Sequence, residues 1–139
     1  MVNYWLWVAK EDSMNDNDEV GSCQRWDGCD PDTEIGDYVL IYRISPHRDI
    51  KYLGEITKDC FLNTSKLPNE EYYCEFKILS NFEDELELKD MKDETELVEW
   101  YPLKNKFHKR LFSITEDYWK VLEKLIISKN QSSKDVFLN

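Results

Sequence analysis

The sequence predicts an α+β domain in which a sheet is covered by short helices. Residues 38–43 carry apolar side chains on both faces of an extended pattern, which is typical of a strand inside a covered sheet. Residues 50–56 alternate apolar and polar side chains, which predicts a second strand. An amphipathic stretch at 82–92 and another after Thr115 predict the covering helices.

The two central strands are expected to pair with each other. Gly36 and Asp37 give a turn signal before the first strand, and a short polar linker separates it from the second. Pro46 in that linker has no backbone N–H to donate to a ladder, so it belongs outside the sheet. Because such a short linker joins neighbouring strands, we expect residues 38–43 to pair antiparallel with residues 51–55.

Four further segments are assigned from their patterns. Residues 4–9, Tyr-Trp-Leu-Trp-Val-Ala, predict a buried first strand, and the alternating residues 72–79 predict another. The polar, acidic segment 14–37 and the stretch 57–71 are expected to be irregular.

The end of the chain predicts a strand followed by a helix. Residues 111–114 are apolar enough for a short strand, and Thr115 is expected to cap a helix that ends near Ser128. We expect one domain over residues 1–129 and a flexible tail over residues 130–139.

The charge of the chain limits its partners. Its 139 residues include 29 acids and 18 bases, for a net charge of −11. Phosphate neutralisation drives sequence-independent binding to duplex nucleic acid, so that mode is disfavoured. Residues 104–110 are the only basic island, with four bases and no acid. This island is either a solvated surface turn or a local phosphate-binding loop.

Location and redox state follow from what the sequence lacks. No apolar run approaches the ~18 residues that span a bilayer, so we expect no membrane partner. The sequence begins directly with strand-like residues and shows no signal peptide, so we expect a cytoplasmic protein. Its four cysteines are then expected to be reduced thiols.

Metal and cofactor sites are not predicted. The cysteines form no Cys-x-x-Cys pair and only two histidines are present, which disfavours zinc. Two calcium-loop patterns, beginning at Asp16 and Asp30, fail because Val20 and Ile35 stand where a ligand and a glycine are needed. We therefore expect no metal and no cofactor.

Catalysis is not predicted either. Only four glycines are present, which leaves little material for a phosphate-cradling loop. Cys29 or Cys60 could approach His108 in space, but isolated small thiols are the simpler interpretation. The sequence therefore predicts a binding protein and no catalytic residue.

Trp26 is the most unusual aromatic residue. It lies inside the acidic segment, between Arg25 and the Asp27–Gly28 turn signal. A large ring is costly to leave in water, so Trp26 either fills the core or faces a ligand. The sequence leaves both interpretations open.

Five stretches in order resemble the EVE domain, a member of the PUA-like superfamily. They are 4–7 (Tyr-Trp-Leu-Trp), 35–43 (Ile-Gly-Asp-Tyr-Val-Leu-Ile-Tyr-Arg), 50–56, the strand and helix at 74–89, and 105–114 with the helix that contains Trp119. The resemblance covers about residues 3–127. It implies a PUA-like mixed β pseudobarrel with short covering helices.

The resemblance also implies a function. EVE domains, like the related YTH domains, are implicated in binding modified bases in nucleic acid, with the base single-stranded or flipped into an aromatic pocket. The chain departs from the commoner family pattern after Trp26, because acids at 30–34 replace a basic segment and remove phosphate contacts on that side. The same pocket could instead serve a small-molecule or nucleoside sensor, which the net charge favours.

The candidate site residues fall into two groups. The expected ligand-binding residues are Trp7, Trp26, Gly28, Cys29, Tyr42, Arg43, Asn105 and Phe107. The expected phosphate-binding residues are Lys106, Lys109 and Arg110.

Overall fold

A computed structural model of the protein describes residues 2–9, 18–63 and 71–137. Within them the strands are β1 (Tyr4–Ala9), β2 (Cys23–Asp27), β3 (Tyr38–Arg43), β4 (Asp49–Asn63), β5 (Glu71–Glu87) and β6 (Leu111–Ile114). The α-helices are α1 (Leu88–Lys92), α2 (Tyr101–Lys104), α3 (Glu116–Lys129) and α4 (Lys134–Phe137). Short 3₁₀ turns occupy Thr95–Leu97 and Gln131–Ser133.

The strands form one mixed sheet in the order β2-β5-β4-β3-β1-β6. Strands β1 and β3 are parallel, and the other neighbours are antiparallel. Tyr38 lies opposite Glu55 and Arg43 opposite Asp49, so the predicted antiparallel pair is confirmed. Strand β3 lies between β4 and β1, which explains why both of its faces are apolar.

The two faces of the sheet bury different side chains. Along β1, Trp5 and Trp7 point to one side, while Leu6 and Val8 point to the other. The side with the tryptophans forms an inner cluster with residues of β2, β3, β4 and β5. Helix α3 covers the opposite side through Trp119, Leu122 and Ile126.

The sheet curls so that its two end strands approach each other. Trp26 of β2 stacks on Trp7 of β1 with ring centroids 4.5 Å apart, although three strands separate β2 from β1 in the sheet. Arg110, just before β6, reaches the main chain at the end of β2. We call this gap between β2 and β6 the seam. A sheet that curls this far and stays unpaired at one seam is the expected PUA-like pseudobarrel.

Tight packing inside the curled sheet depends on Gly54 of β4. A Cβ at this position would lie 3.0 Å from Cδ2 of Phe76 and 3.1 Å from Cγ1 of Val39. Phe76 and Val39 are fully buried, so neither the Phe76 ring nor the Val39 methyl group has free space to move away from an added Cβ. Glycine thus lets β4 pass close to the inner cluster.

Two predicted assignments are wrong because of β-bulges. The expected helix at 82–92 is strand β5 up to Glu87, and only Leu88–Lys92 is helical. Residues 57–63, expected to be irregular, continue β4. The β4–β5 register shifts at four places, so the alternation of buried and exposed residues is interrupted and resembles a helical or irregular pattern.

The end of the chain agrees with the prediction in part. The strand at 111–114 is confirmed, and Thr115 precedes α3, although its side chain makes no capping hydrogen bond. Residues 131–137 form helical turns, and Val136 and Phe137 pack against the core on the α3 side. The domain boundary at residue 129 and the flexibility of the tail stay predictions.

Candidate functional site

Trp26 lies in a strand and not in a loop, which corrects the sequence interpretation of this segment. Strand β2 pairs with β5, and Trp26 lies opposite Cys74. The ring of Trp26 is 7% exposed and stacks on the fully buried Trp7 at an interplanar angle of 13°. The ring of Phe76 contacts both indoles edge-on, with centroids 5.2 Å from Trp7 and 6.4 Å from Trp26. The two tryptophans form what we call the indole pair.

The indole pair has unused hydrogen-bond donors. The Nε1 atoms of Trp7 and Trp26 are buried and have no hydrogen-bond partner in the part of the chain that the structure describes. By contrast, Nε1 of neighbouring Trp5 donates to Oδ2 of Asp37 at 2.9 Å. An unsatisfied buried donor costs about 1–3 kcal/mol, so two of them in stacked rings are unusual for a purely structural cluster.

The side chain of Arg110, just before β6, crosses the seam to the end of β2. Its Nη2 atom is 3.4 Å from the carbonyl oxygen of Asp27, which accepts the hydrogen bond. Gly28 follows with φ +89°, and a Cβ there would lie 3.5 Å from Nη1 of Arg110. The left-handed backbone favours glycine at this position, whereas a Cβ would only make ordinary van der Waals contact with the guanidinium. The structure therefore brings Trp7, Trp26, Gly28 and Arg110 together.

The basic island at residues 104–110, which we call the basic loop, exposes its four bases and has few acidic partners among the described residues. Lys104 forms an ion pair with Glu99 at 2.9 Å, but no carboxylate among the described residues lies within ion-pair distance of Lys106, Lys109 or Arg110. Lys106 has a left-handed backbone, φ 57°, and so does the next residue. Because these three cations have no acidic partner among the described residues, they can bind phosphate without first breaking an ion pair.

A groove of about 430 Å³ lies along β6 beside the seam. Trp5, Leu111 and Ser113 line it from the sheet, and Tyr101 from α2. Lys109 adds one positive charge to the lining, and Asp30 and Glu99 add two negative charges. We call this cavity the edge groove, and its size and aromatic lining suit a nucleobase or a small planar molecule.

Tyr42 and Phe107 lie away from the seam. Their rings stack on each other with centroids 3.9 Å apart, in the cluster on the α3 side of the sheet. Burial first, and then the Asp49 carboxylate, raises the pKa of Tyr42 to about 12, so its phenol stays protonated. Because β1 and β3 pair Trp7 with Ile41, Tyr42 points to the opposite face, and it cannot form a wall of the same pocket as Trp7.

Arg43 and Asn105 also have partners elsewhere. Nε and Nη2 of Arg43 donate to the two carboxylate oxygens of Asp49, each at 2.8 Å, and both residues are buried. The Asn105 amide donates to the carbonyl oxygen of Tyr101 at 3.0 Å. The structure therefore does not bring Arg43 or Asn105 to the indole pair.

The expectation of four reduced cysteines is wrong for two of them. Cys29 and Cys60 form a disulfide, whereas Cys23 is exposed and Cys74 buried as free thiols. The N–H of Cys60 donates to the carbonyl oxygen of Thr33, which holds the segment after β2 against β4 and brings the two sulfurs together. Cys29 thus has no free thiol to offer a ligand or to pair with His108.

Sequence reasoning missed the residues of the edge groove. The sequence places Trp5 and Ser113 in strands without a site role, gives Tyr101 no assignment, and gives Asp30 only a failed calcium loop and a place among the acids at 30–34. Tyr101 offered one usable signal, since an aromatic residue beside Pro102 follows a strongly acidic stretch and precedes the basic island. The meeting of β2 with β6 could not be read from local sequence.

The described residues contain no group of three or more His, Cys, Asp or Glu side chains placed to hold a metal ion. None of the helices described is long and apolar enough to cross a membrane.

Comparison with known proteins places the chain in a family. The EVE domain model matches residues 3–125. No curated protein sequence matches the chain significantly. Several solved structures share its fold, and three of them illustrate the range.

A Rhodopseudomonas palustris protein has a TM-score of 0.77 at 18% identity and covers 89% of this chain and 92% of its own. A Leishmania major protein has a TM-score of 0.72 at 15% identity, covering 92% and 96%. Human THYN1, solved in complex with DNA containing 5-methylcytosine, has a TM-score of 0.65 at 15% identity, covering 89% and 97%. The family match spans most of the sequence, and the chain therefore belongs to the EVE-domain family.

Proposed function

We propose that this protein binds nucleic acid that carries a modified base, and that the base is recognised at the seam. Family membership supports this proposal, as does the shared fold with human THYN1, which was solved with 5-methylcytosine DNA. The observation that carries it is the position of Arg110 over Asp27 and Gly28, next to an indole pair with unused N–H donors.

The indole pair supplies the base contacts in this proposal. The rings of Trp7 and Trp26 are stacked on each other, so a base binds either by separating the two rings or by stacking on the face of Trp26 that is turned away from Trp7. Their N–H groups then donate to acceptors on the base, such as O2 and N3 of a cytosine. Unstacking a base costs a few kcal/mol, which stacking at about 1–3 kcal/mol per base and these hydrogen bonds offset.

The basic loop supplies the phosphate contacts. Lys106, Lys109 and Arg110 are exposed and have no acidic partner in the part of the chain that the structure describes, whereas the protein as a whole has a net charge of −11. The binding constant should therefore fall as salt concentration rises, and the small number of phosphate contacts should keep the slope of the log–log plot shallow. Three contacts to a single strand give a slope of about −2, which is roughly a 20-fold loss between 50 and 200 mM salt.

The test is a titration of short single strands that differ only in one central base. Cytosine, 5-methylcytosine and 5-hydroxymethylcytosine strands are compared at two salt concentrations. We expect tighter binding of a modified strand. Arg110→Gln should weaken binding and reduce the magnitude of the salt slope by about 0.7. Trp26→Phe keeps a stacking ring but removes the N–H, and should weaken binding by about 2- to 10-fold.

A matched control separates local from general charge effects. Lys120 is an exposed lysine on α3 whose ion-pair partner is Glu116 at 3.5 Å. Lys120→Gln removes the same charge as Arg110→Gln and should change neither the affinity nor the salt slope. Equal binding of modified and unmodified strands by the wild-type protein would contradict the proposal.

A nucleoside sensor is the second candidate, and the net charge of −11 is the observation that favours it. A free nucleoside needs the indole pair but no phosphate contact. In this case nucleosides bind, strands do not, and Arg110→Gln has no effect. In both cases we propose a binding module without catalysis. Its cytoplasmic location stays an expectation that cell fractionation can test.

A further inference from the structure

We propose that the edge groove is a second nucleotide subsite, which binds the base next to the modified one. This inference rests on the proposed function, because it assumes that the modified base lies at the seam. The groove is continuous with the seam through Leu111, which lines the groove and also packs against the cluster that contains the indole pair. Arg110 and Lys109 precede Leu111 directly, at the place where the phosphate between two nucleotides would lie.

The free edge of β6 gives this subsite main-chain hydrogen-bond groups. The N–H of Val8 donates to the carbonyl oxygen of Arg110 at 2.8 Å, and the register places Leu6 opposite Phe112. Hydrogen-bonded and non-hydrogen-bonded pairs alternate in an antiparallel ladder. Phe112 therefore directs its backbone groups to β1, whereas Leu111 and Ser113 direct theirs away from β1, towards the edge groove.

Tyr101 gives the subsite a stacking surface. The residue is 50% exposed and lines the groove. Edge contacts with His108 and Phe112, with centroids about 6 Å away, hold the ring in place. Nζ of Lys109 lies 5.6 Å from the ring centroid, so a base stacked on Tyr101 has a cation within reach of its phosphate.

The acidic residues of the groove indicate which part of a nucleotide faces them. Asp30 and Glu99 line the groove together with the aromatic rings. Their carboxylates repel phosphate and accept hydrogen bonds from exocyclic amino groups. Oδ1 of Asp30 accepts from the N–H of Asp32 at 2.8 Å, and no hydrogen bond from a described residue occupies Oδ2, which suits it for this role. The subsite should therefore prefer an adenine, cytosine or guanine neighbour to thymine or uracil.

The experiment compares ligands of one and two nucleotides. The one-nucleotide ligand is 5-methylcytidine monophosphate, and the dinucleotides add adenine, thymine or an abasic sugar on either the 5′ or the 3′ side. We expect adenine on one side only to tighten wild-type binding about tenfold relative to the abasic sugar. Thymine on that side should give a smaller gain.

Tyr101→Ala should abolish this gain and leave mononucleotide binding unchanged, which also shows that the variant is folded. Tyr72→Ala is the matched control, because Tyr72 is an exposed tyrosine, 38% accessible, on β5. It should keep the full gain. If the mononucleotide binds but a neighbouring base adds nothing, or if Tyr101→Ala keeps the gain, the second subsite is refuted while the proposed function stands. If wild-type protein binds none of these ligands and no modified strand, both proposals are refuted.

Discussion

Gly54→Ala tests whether the inner cluster is packed as tightly as its distances indicate. The new Cβ would lie 3.0 Å from Phe76 and 3.1 Å from Val39, whereas carbon atoms in contact are normally about 3.5–4.0 Å apart. Phe76 cannot simply turn away, because its ring lies against both members of the indole pair. The substitution therefore overpacks the cluster, at a cost of about 1–3 kcal/mol.

One effect opposes this cost. Alanine restricts the unfolded chain more than glycine does, which stabilises the folded state by about 0.4–1 kcal/mol. The middle of the first range less the middle of the second gives an expected net loss of about 1–2 kcal/mol. For a chain of 139 residues, an unfolding entropy of about 2.1 cal/mol/K per residue converts this loss to a fall in Tm of roughly 3–7 °C. Urea unfolding followed by tryptophan fluorescence measures the same loss as a lower midpoint.

A second substitution identifies the cause of the loss. Val39→Ala removes the methyl group that the new Cβ would meet, so Gly54→Ala should cost less in that background than in the wild type. An unchanged cost in the double variant would show that the destabilisation arises elsewhere. A Gly54→Ala protein as stable as the wild type would refute the packing argument itself.

Three further predictions concern single side chains. Exposed Cys23 should react with iodoacetamide in the native protein, whereas Cys74 should react only on unfolding, because burial raises the pKa of its thiol to about 12; mass spectrometry distinguishes the two. Burial alone would raise the pKa of Asp90, but hydrogen bonds from Lys129 and the Glu87 N–H outweigh burial and lower that pKa. Asp90→Asn should therefore destabilise the protein at pH 7. The difference in unfolding midpoint between the variant and the wild type should close as pH falls below 3.8, the ordinary pKa of an Asp side chain. Lys106→Gly should stabilise the protein by about 0.5–1 kcal/mol, because glycine adopts the left-handed backbone at this position without strain, and thermal unfolding would measure this gain. The same substitution should weaken binding of a modified strand at low salt, which a titration would measure.

The central part of the fold could be predicted because its pattern is simple. Strand β3 is apolar on both faces and β4 alternates at its start, so their antiparallel pairing followed directly. Strand β2 was missed because it lies at an end of the sheet, where Cys23 and Arg25 face solvent and only Trp26 is buried. One buried residue in five gives a weak strand signal within an acidic segment.

The candidate site could be predicted only in part for a related reason. Trp26 and Arg110 are unusual in their local sequence, so both were identified, and the structure brings them to the same seam. Tyr42 was grouped with Trp7 although the two side chains lie on opposite faces of the sheet. This grouping depends on the β1–β3 register, which pairs Trp7 with Ile41 across more than thirty residues of intervening chain and leaves no trace in either strand alone.

The position of β1 in the sheet has a consequence for synthesis on the ribosome. β1 comes first in the sequence, yet one of its two neighbours is β6, the last strand described. At about 5–20 residues per second, β6 is made roughly 4–14 seconds after β3. Until then a tryptophan-rich strand keeps one edge unpaired, and such an edge can recruit a strand from another chain. A nascent chain stalled before Leu111 would therefore be prone to aggregation, and a chaperone that shields β1 would act in this interval.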